Sequence, residues 1–593
     1  MVQAKHKNKR KQKQGTTAKS VTPKSPAVEI ADPNPKQNEQ SKGLAKSVLR
    51  GFWHWFGLPA LIYFVLFYVF SPHYLGHFND LFYLDSGDGF QNVWNIWWVN
   101  DSLGEQASNP YFTTAIHWPH GTSLIPQTMN IYNGLVGIPL MNIFGLSLPA
   151  TVNVAVAFSF VMGGVTMFWF AQKLLKKYWI AILAGVLFTF SSYHFAHGLG
   201  HLQLVALQWI PLFLLAFWTL LEKMRYRYAL LAAGALFLVL LCDYYYLFWC
   251  VIVGAMWAGW KLYRRELQLT AHNIKVSALF ALTSLVLIGP LLYKLLHLNK
   301  VDPLLGSHDP AVFGLDPLSL VLPGGMSHWR SLTDWHWLHI PYASETSMFF
   351  GFALLTVLVI AFYKTVIKRK TFKPPRWISF WWIVLLVFGL LSLGPHPTAF
   401  GRILESVPLP YWFLEKVFPT LQISGMPIRW ILIVLIAAII IVCYMLTRLD
   451  LTTRWGKILL ILFVVVSFVE LYPAPLPLTT TSVPAYVHQL KQLPEGAVID
   501  NAALTGGWQL RNQTIHEKPI AFGYVTRLPK SVDEKDFQIF ADLEQGRYSE
   551  LCTEHRIRYV TLPPERPLAT TEFPIIYQDK EAIIYDLTKA GDC

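Results

Sequence analysis

The sequence predicts an all-α polytopic membrane protein of about eleven transmembrane helices with a small C-terminal extracytoplasmic α/β domain. Three observations carry this. Of 593 residues, 53% are hydrophobic and only 14% charged, against roughly 25% charged in ordinary soluble domains. The apolar residues are gathered into runs of roughly 17 to 24, the length that crosses a hydrocarbon core of about 30 Å. The basic residues fall on alternate connections between those runs, which is the signature of cytoplasmic loops.

Residues 1–50 come first. They carry Lys5, Lys7, Lys9, Arg10, Lys11, Lys13, Lys19, Lys24, Lys36, Lys42, Lys46 and Arg50 against Glu29, Asp32 and Glu39. Pro, Gln, Ser and Thr stand where a core would need apolar side chains, so the segment is predicted to be a disordered cytoplasmic tail in contact with anionic lipid. The net charge of +13 is confined to this tail and the cytoplasmic loops. It is therefore a topological signal and not a nucleic-acid groove. The first apolar run begins near Gly51 without a small-residue cleavage site, and reads as an uncleaved anchor.

The multi-spanning domain, 51–472, has runs at about 52–70, 150–172, 178–196, 202–221, 228–242, 246–262, 276–296, 346–364, 377–394, 428–447 and 456–472. The basic connections include Lys173, Lys176 and Lys177; Lys223, Arg225 and Arg227; Lys261, Arg264 and Arg265; Lys364 to Arg376; and Arg448, Arg454 and Lys457. The other connections, predicted on the outer face, are the first loop 71–149, the link Ser191–His201, the turn at Asp243, and the long loops 297–345 and 394–427. With an odd number of spans, residues 473–593 also lie outside. The expected address is the inner (plasma) membrane, with the N-terminus cytoplasmic and the C-terminal domain extracytoplasmic.

Past Tyr472 hydropathy drops. The stretches 496–500, 557–562, 573–577 and 582–587 have the β-branched and aromatic composition of strands between polar segments. Cys242, Cys250 and Cys443 fall in or beside spans and read as inert core residues. Cys552 and Cys593 fall in the exported domain, where an oxidising compartment permits a disulfide.

Chemistry is sought on the outer face. L-D-S-G-D-G places Asp85 and Asp88 just past the first span. Alone it reads as an exposed turn. Partly desolvated beside aromatic side chains, a carboxylate there gains a raised pKa and serves as a proton acceptor. Asp88, with Gly87 and Gly89 leaving room for a bulky ligand, is the first candidate and Asp85 the second. The following F-Q-N-V-W-N-I-W-W suits an amphipathic helix lying in the interface, its rings at headgroup depth.

His194, His197 and His201, and then Asp243, stand at the outer ends of further spans and are candidate substrate-binding groups. The three histidines are spaced for a metal only if one helix runs through them, and Gly198 and Gly200 stand against that continuity. Arg429, at the outer start of the tenth span, suits capture of a phosphate or of a lipid headgroup, with Arg330 and Arg402 as further candidates. Glu345, His117 and His120 belong to the same face. No Walker loop, dinucleotide fingerprint, H-E-x-x-H helix or nucleophile elbow occurs in a fitting context, so an activated donor in the membrane is expected in place of a soluble nucleotide.

The motifs G-D-G-F-Q-N-V-W-N-I-W-W, P-Y-F-T-T-A-I-H-W-P-H-G, G-H-L-Q-L-V-A-L-Q-W-I-P-L, G-M-P-I-R-W and H-E-K-P-I-A-F-G-Y-V-T-R-L-P, together with the layout from Gly51 onward, resemble uncharacterised bacterial members of the C-type (GT-C) glycosyltransferase superfamily. The resemblance implies an enzyme that takes a sugar from a polyprenyl-phosphate donor and transfers it, with inversion, to an acceptor glycan, lipid or protein. It implies Asp88, then Asp85, as general base or metal ligand, with Arg429 stabilising the leaving phosphate. Here two residues separate the acids, unlike the commoner D-D, D-E or D-x-D forms. Use of a divalent metal is thereby left open, with Asp85 and Asp88 as its ligands if one is bound. Two other readings share these features. One is a polysaccharide ligase or polymerase working through the loop with His308, Asp309, His328, Arg330, His336 and His339. The other is a lipid or solute transporter or flippase, for which Gly289-Pro290 would interrupt the seventh span.

Overall fold

The computed structural model describes residues 46–127, 129–332, 345, 348–418, 421, 425–588 and 593. Residues 1–45 of the predicted tail, and His336 and His339, lie outside the described residues. Two compact units divide the chain, Met1–His54 and Trp55–Cys593. In the first, residues 46–54 are helical, so the predicted tail gives way to helix before Arg50. Apart from the start of the first helix, the spans, the first loop and the C-terminal region belong to the second.

Each of the eleven predicted runs contains helix. Among the described residues five helices are long and apolar enough to cross a membrane: Lys46–Phe70, Leu148–Leu175, Tyr178–His197, Ala271–Val301 and Pro427–Leu446. Three shorter apolar helices, Tyr226–Cys242, Phe352–Ile367 and Arg376–Ser392, accompany them. The run 202–221 is broken into Leu202–Val205 and Trp209–Lys223. Ala271–Val301 passes through Pro290 as one helix, so the interruption that favoured a transporter is absent there. Of the five, Pro427–Leu446 is the most enclosed by protein and Ala271–Val301 the most open. The latter therefore offers its apolar surface to lipid, where a water-soluble protein would have to cover it.

After Tyr472 the chain forms a four-stranded mixed sheet of β1 (Ala497–Asp500), β2 (Ile557–Leu562), β3 (Ile575–Gln578) and β4 (Ile583–Asp586), in the order β3-β4-β2-β1. β1 and β2 run parallel, with Ile499 opposite Val560. β4 is antiparallel to both β2 and β3. Side chains alternate between the faces as the pleat requires. Val498 and Ile584 join Trp94, Trp98, Ile116, Ile131 and Leu510 in one apolar core, while Ile499 and Ile583 join Ile539, Leu543 and Leu551 in another. The Cys552–Cys593 disulfide is formed, with Cα atoms 4.8 Å apart.

The first core is shared with the first loop, and this alters one sequence expectation. The helix Asp88–Val99 does not lie open at an interface. Phe90, Val93, Trp94, Trp98 and Val99 are all buried, Trp94 and Trp98 stack at 5.7 Å, and Trp94 Nε1 donates to Gln513 Oε1 at 2.7 Å. The aromatic face that suggested headgroups packs on the helix Gly506–His516 of the C-terminal region instead. A short ladder extends the contact: Ile520 N–H donates to the Ala115 carbonyl at 2.9 Å and Trp118 N–H to the Ile520 carbonyl at 3.1 Å.

Candidate active site

Asp85 and Asp88 are turned to different tasks. Asp85 Oδ1 accepts the N–H groups of Gly87 at 2.9 Å and Gly89 at 3.0 Å, the Asx-turn habit of a carboxylate ahead of a helix. Its own N–H reaches the Leu199 carbonyl. The close approach of Asp85 to Gly200 needs a residue without a side chain, because a Cβ there would stand 2.8 Å from Asp85 Oδ2 and 2.8 Å from Gly89 N. Gly89 also serves packing and not ligand access: a Cβ on it would meet Leu84 at 2.5 Å.

Asp88, the first residue of its helix, is the carboxylate that points at partners. Its Oδ2 lies 2.9 Å from His201 Nε2, and the Tyr524 hydroxyl donates to Oδ1 at 2.5 Å. Asn92 steadies the pair by donating Nδ2 to the Gly200 carbonyl at 2.8 Å and to the Asp88 carbonyl at 3.0 Å. Behind His201 stands Glu345, 3.8 Å from Nε2. Glu345 is held by a two-pronged bond from Arg429, Nε at 3.2 Å and Nη2 at 2.5 Å. The Arg429 guanidinium lies 5.4 Å from the centre of the Tyr245 ring. Four residues widely separated in sequence, Asp88, His201, Glu345 and Arg429, thus form one connected chain of charge.

His197 adjoins this chain, edge-on to His201 with ring centres 5.5 Å apart. It is fully buried and neither ring nitrogen has a hydrogen-bond partner among the described residues. The helix Ser192–His197 ends there, so the three histidines share no continuous helix, as Gly198 and Gly200 foretold. His194 turns away, its ring nitrogens 2.7 Å and 2.9 Å from the carbonyls of Thr189 and Val205. Asp243 Oδ1 accepts from the N–H groups of Tyr245 at 2.7 Å and Tyr246 at 3.1 Å, opening the next helix. Its Oδ2 is buried without a partner among the described residues.

Other candidates have other tasks. His117 is buried against Asp536, Nδ1 to Oδ2 2.6 Å, and fastens the first loop to the helix Lys530–Glu544. Arg330 and Arg402 are exposed. The metal expectation shifts too. The potential ligand group among the described residues is His197, His201 and Glu345, whose ligand atoms all lie within 4.8 Å of one another, and neither Asp85 nor Asp88 belongs to it. Two imidazoles and a carboxylate fit a divalent cation, and the orphaned nitrogens of His197 suit that reading. Such an ion would have to draw Glu345 from Arg429 and His201 from Asp88.

The charges tune one another. Burial alone would push the Asp88 carboxyl up, but His201, the Tyr524 hydroxyl and Arg429 outweigh it and hold it down at about 2. The expected raised carboxyl is therefore not Asp88 but Asp85, which burial pushes up against its backbone donors. Burial opposes the charged form of His201, yet the bond to Asp88 and the charge of Glu345 raise its pKa. Asp243 is pushed up to about 7 by burial.

Tyr524 and Arg527 carry no signal of function in composition or spacing. The run G-Y-V-T-R-L-P stands out by resemblance, but nothing local says that it crosses the site. In the structure Gln91 Nε2 donates to the Tyr524 carbonyl at 2.8 Å, and Leu528 and Pro529 pair with Leu305 and Leu304. The segment is laced to both sides.

The fold is that of the GT-C glycosyltransferases. It matches an arabinofuranosyltransferase, AftD from Mycobacteria, with a TM-score of 0.55 at 12% identity, over 90% of this chain and 40% of that one. Residues 59–472 match the family described as a domain of unknown function, DUF6311, and the chain belongs to that family. It thus spans about two fifths of the length of the transferase it resembles. Fainter likenesses extend to the archaeal oligosaccharyltransferase AglB from Archaeoglobus fulgidus in complex with an inhibitory peptide and a dolichol-phosphate (TM-score 0.44, 11% identity, 87% of this chain and 70% of that one). They also extend to ArnT from Cupriavidus metallidurans bound to undecaprenyl phosphate (0.40, 10%, 91% and 99%). No curated protein sequence matches the chain.

Proposed function

We propose that this membrane protein transfers a sugar from a polyprenyl-phosphate donor to an acceptor glycan, lipid or protein on the extracytoplasmic face, by a single inverting displacement. Its address in this reading is the inner membrane, with the N-terminus cytoplasmic. The observation that carries the proposal is Asp88, ionised and held between His201 and Tyr524 next to the Glu345–Arg429 pair. The AftD-like fold supports the class of reaction.

A carboxylate held as low as about 2 is a weak base in the resting site. An acceptor hydroxyl, however, becomes strongly acidic only as its oxygen bonds to the anomeric carbon. A fully ionised, fixed carboxylate therefore orients the nucleophile first and takes its proton late in the displacement. The departing oxygen carries the negative charge of the lipid phosphate, and Arg429, bonded to Glu345, supplies a cation in the same network.

The test is transfer by the purified full-length chain in lipid, with polyprenyl-phosphate sugars as donors. Asp88→Asn is expected to lower transfer by roughly a hundredfold or more while the chain still folds and inserts into the membrane. Undiminished transfer by that variant would remove Asp88 as base. Cells lacking the protein are expected to accumulate the polyprenyl-phosphate sugar that serves as donor.

A further inference from the structure

Resting on that reading, a second question is which group meets the phosphate. Arg429 uses its Nε and Nη2 edge on Glu345. That edge is one of those by which a guanidinium grips an oxyanion with two parallel bonds. Arg429 therefore stands by as a fixed charge with its best fork engaged.

A second guanidinium is close by. Arg527, nearly fully buried like Arg429, bonds to the side chain of Tyr245, the same ring on which Arg429 lies. Its position is fixed from its own segment: Nη1 donates to the Thr526 carbonyl at 2.7 Å, and the Thr526 carbonyl packs so closely on Gly306 that a Cβ there would stand 2.7 Å from it. Two buried cations flank one tyrosine. Burial and the positive charge of Arg429 both lower the pKa of Arg527, a mark of like charges brought together out of water. Partly buried His308 is likewise lowered by burial and by both guanidiniums. An anion with several acceptor oxygens would relieve such an arrangement.

We propose that Arg527, from the C-terminal region, is the principal phosphate-binding group of the site, with Arg429 as its electrostatic partner across Tyr245. The ligand class is a phosphate ester whose oxygens reach both guanidiniums. The chemistry is shared by a lipid phosphate and by free phosphate, and the test separates them.

Binding is measured on the full-length chain in detergent by native mass spectrometry, with undecaprenyl phosphate, undecaprenol and inorganic phosphate as probes. The parent is expected to prefer undecaprenyl phosphate to undecaprenol, and Arg527→Gln to weaken only the former, at least tenfold. Arg527→Lys keeps the charge without the fork and should recover part of that loss, which a merely structural residue would not do. Inorganic phosphate at millimolar concentration displacing undecaprenyl phosphate from the parent but not from Arg527→Gln identifies a headgroup site; failure to displace it assigns the preference to the whole lipid phosphate. Should Arg527→Gln not fold, Arg527→Lys is read alone, against the parent's preference for the phosphate over the alcohol. Equal binding of both lipids by the parent, or unchanged binding of the phosphate by either variant, overturns the proposal. If binding depends on Arg527 while the parent transfers no sugar, the transferase reading fails and this one stands. If transfer depends on Asp88 while binding ignores Arg527, the reverse holds.

Discussion

Tyr524 donates its hydroxyl to Asp88 across 436 residues of sequence, at 2.5 Å. The bond joins the start of the first loop to the C-terminal region at the carboxylate proposed as base. Tyr524→Phe is expected to fold normally, to let the Asp88 carboxyl rise, and to slow transfer roughly tenfold, as befits one hydrogen bond to a charged group. Initial rates at saturating donor, beside a melting curve, check this; an unchanged rate would make the contact incidental.

His201 should set the acid limit. The depressed Asp88 carboxyl, at about 2, contributes stability that is present above its unfolded pKa of about 3.9 and lost as pH falls toward the folded value. Asp88 thus stays ionised throughout ordinary assay conditions. His201→Gln takes away the larger opposing influence and leaves only the Tyr524 hydroxyl and Arg429 to face burial. The acid limb of the pH–rate profile is expected to move upward, into or above the usual carboxylate range.

Gly200→Ala offers a steric test. The new Cβ lands on Asp85 Oδ2 and Gly89 N, each 2.8 Å away, so the Leu199–His201 backbone must retreat and carry His201 from Asp88. Transfer should fall by more than tenfold, with membrane insertion intact. Full activity in this variant would mean that the turn can move without consequence.

Asp243 predicts a slope of stability with pH. Its folded pKa of about 7 exceeds the unfolded value of about 3.9, so between those limits the folded chain holds a proton that the unfolded chain has released. Stability then declines as pH rises through that window. Asp243→Asn keeps the oxygen that opens the helix and has no proton to lose. Its melting temperature should vary less than the parent's between about pH 4 and about pH 7; parallel curves would count against the assignment.

The Cys552–Cys593 bond closes a separation of 41 residues. Cross-links of that size stabilise by roughly 2–4 kcal/mol, so Cys593→Ser should melt earlier than the parent, and reductant should lower the parent to meet it. A parent indifferent to reductant would contradict this.

The apolar helices are legible in the sequence because a hydrocarbon core imposes length and composition on each helix separately, though only five of them are long and apolar enough to cross among the described residues. The strands β1 to β4 are legible for a similar reason: V-I-D, I-R-Y-V-T-L, P-I-I-Y and I-I-Y-D alternate or cluster locally. Asp88, His201, Glu345 and Arg429 can be named as outer-face polar residues, and the structure draws them into one chain. The aromatic helix misleads, since Trp94 and Trp98 look the same whether they face lipid headgroups or a protein helix carrying Gln513. A raised carboxyl is expected at Asp88 and found at Asp85 because the donors that lower Asp88, His201 and Tyr524, lie far along the chain. Arg527 escapes notice on the same ground: no periodicity reports a partner such as Tyr245, hundreds of residues away.

The core shared by the first loop and the sheet has a temporal consequence. Trp94, Trp98 and Ile116 are synthesised early, whereas Val498, Leu510 and Ile584, with which they share a core, emerge hundreds of residues later. Until those residues emerge, the tryptophan-rich face of the loop has no mate. The candidate site is therefore completed only after the C-terminal region has been made, and a chain truncated before the sheet would leave Asp88 without Tyr524.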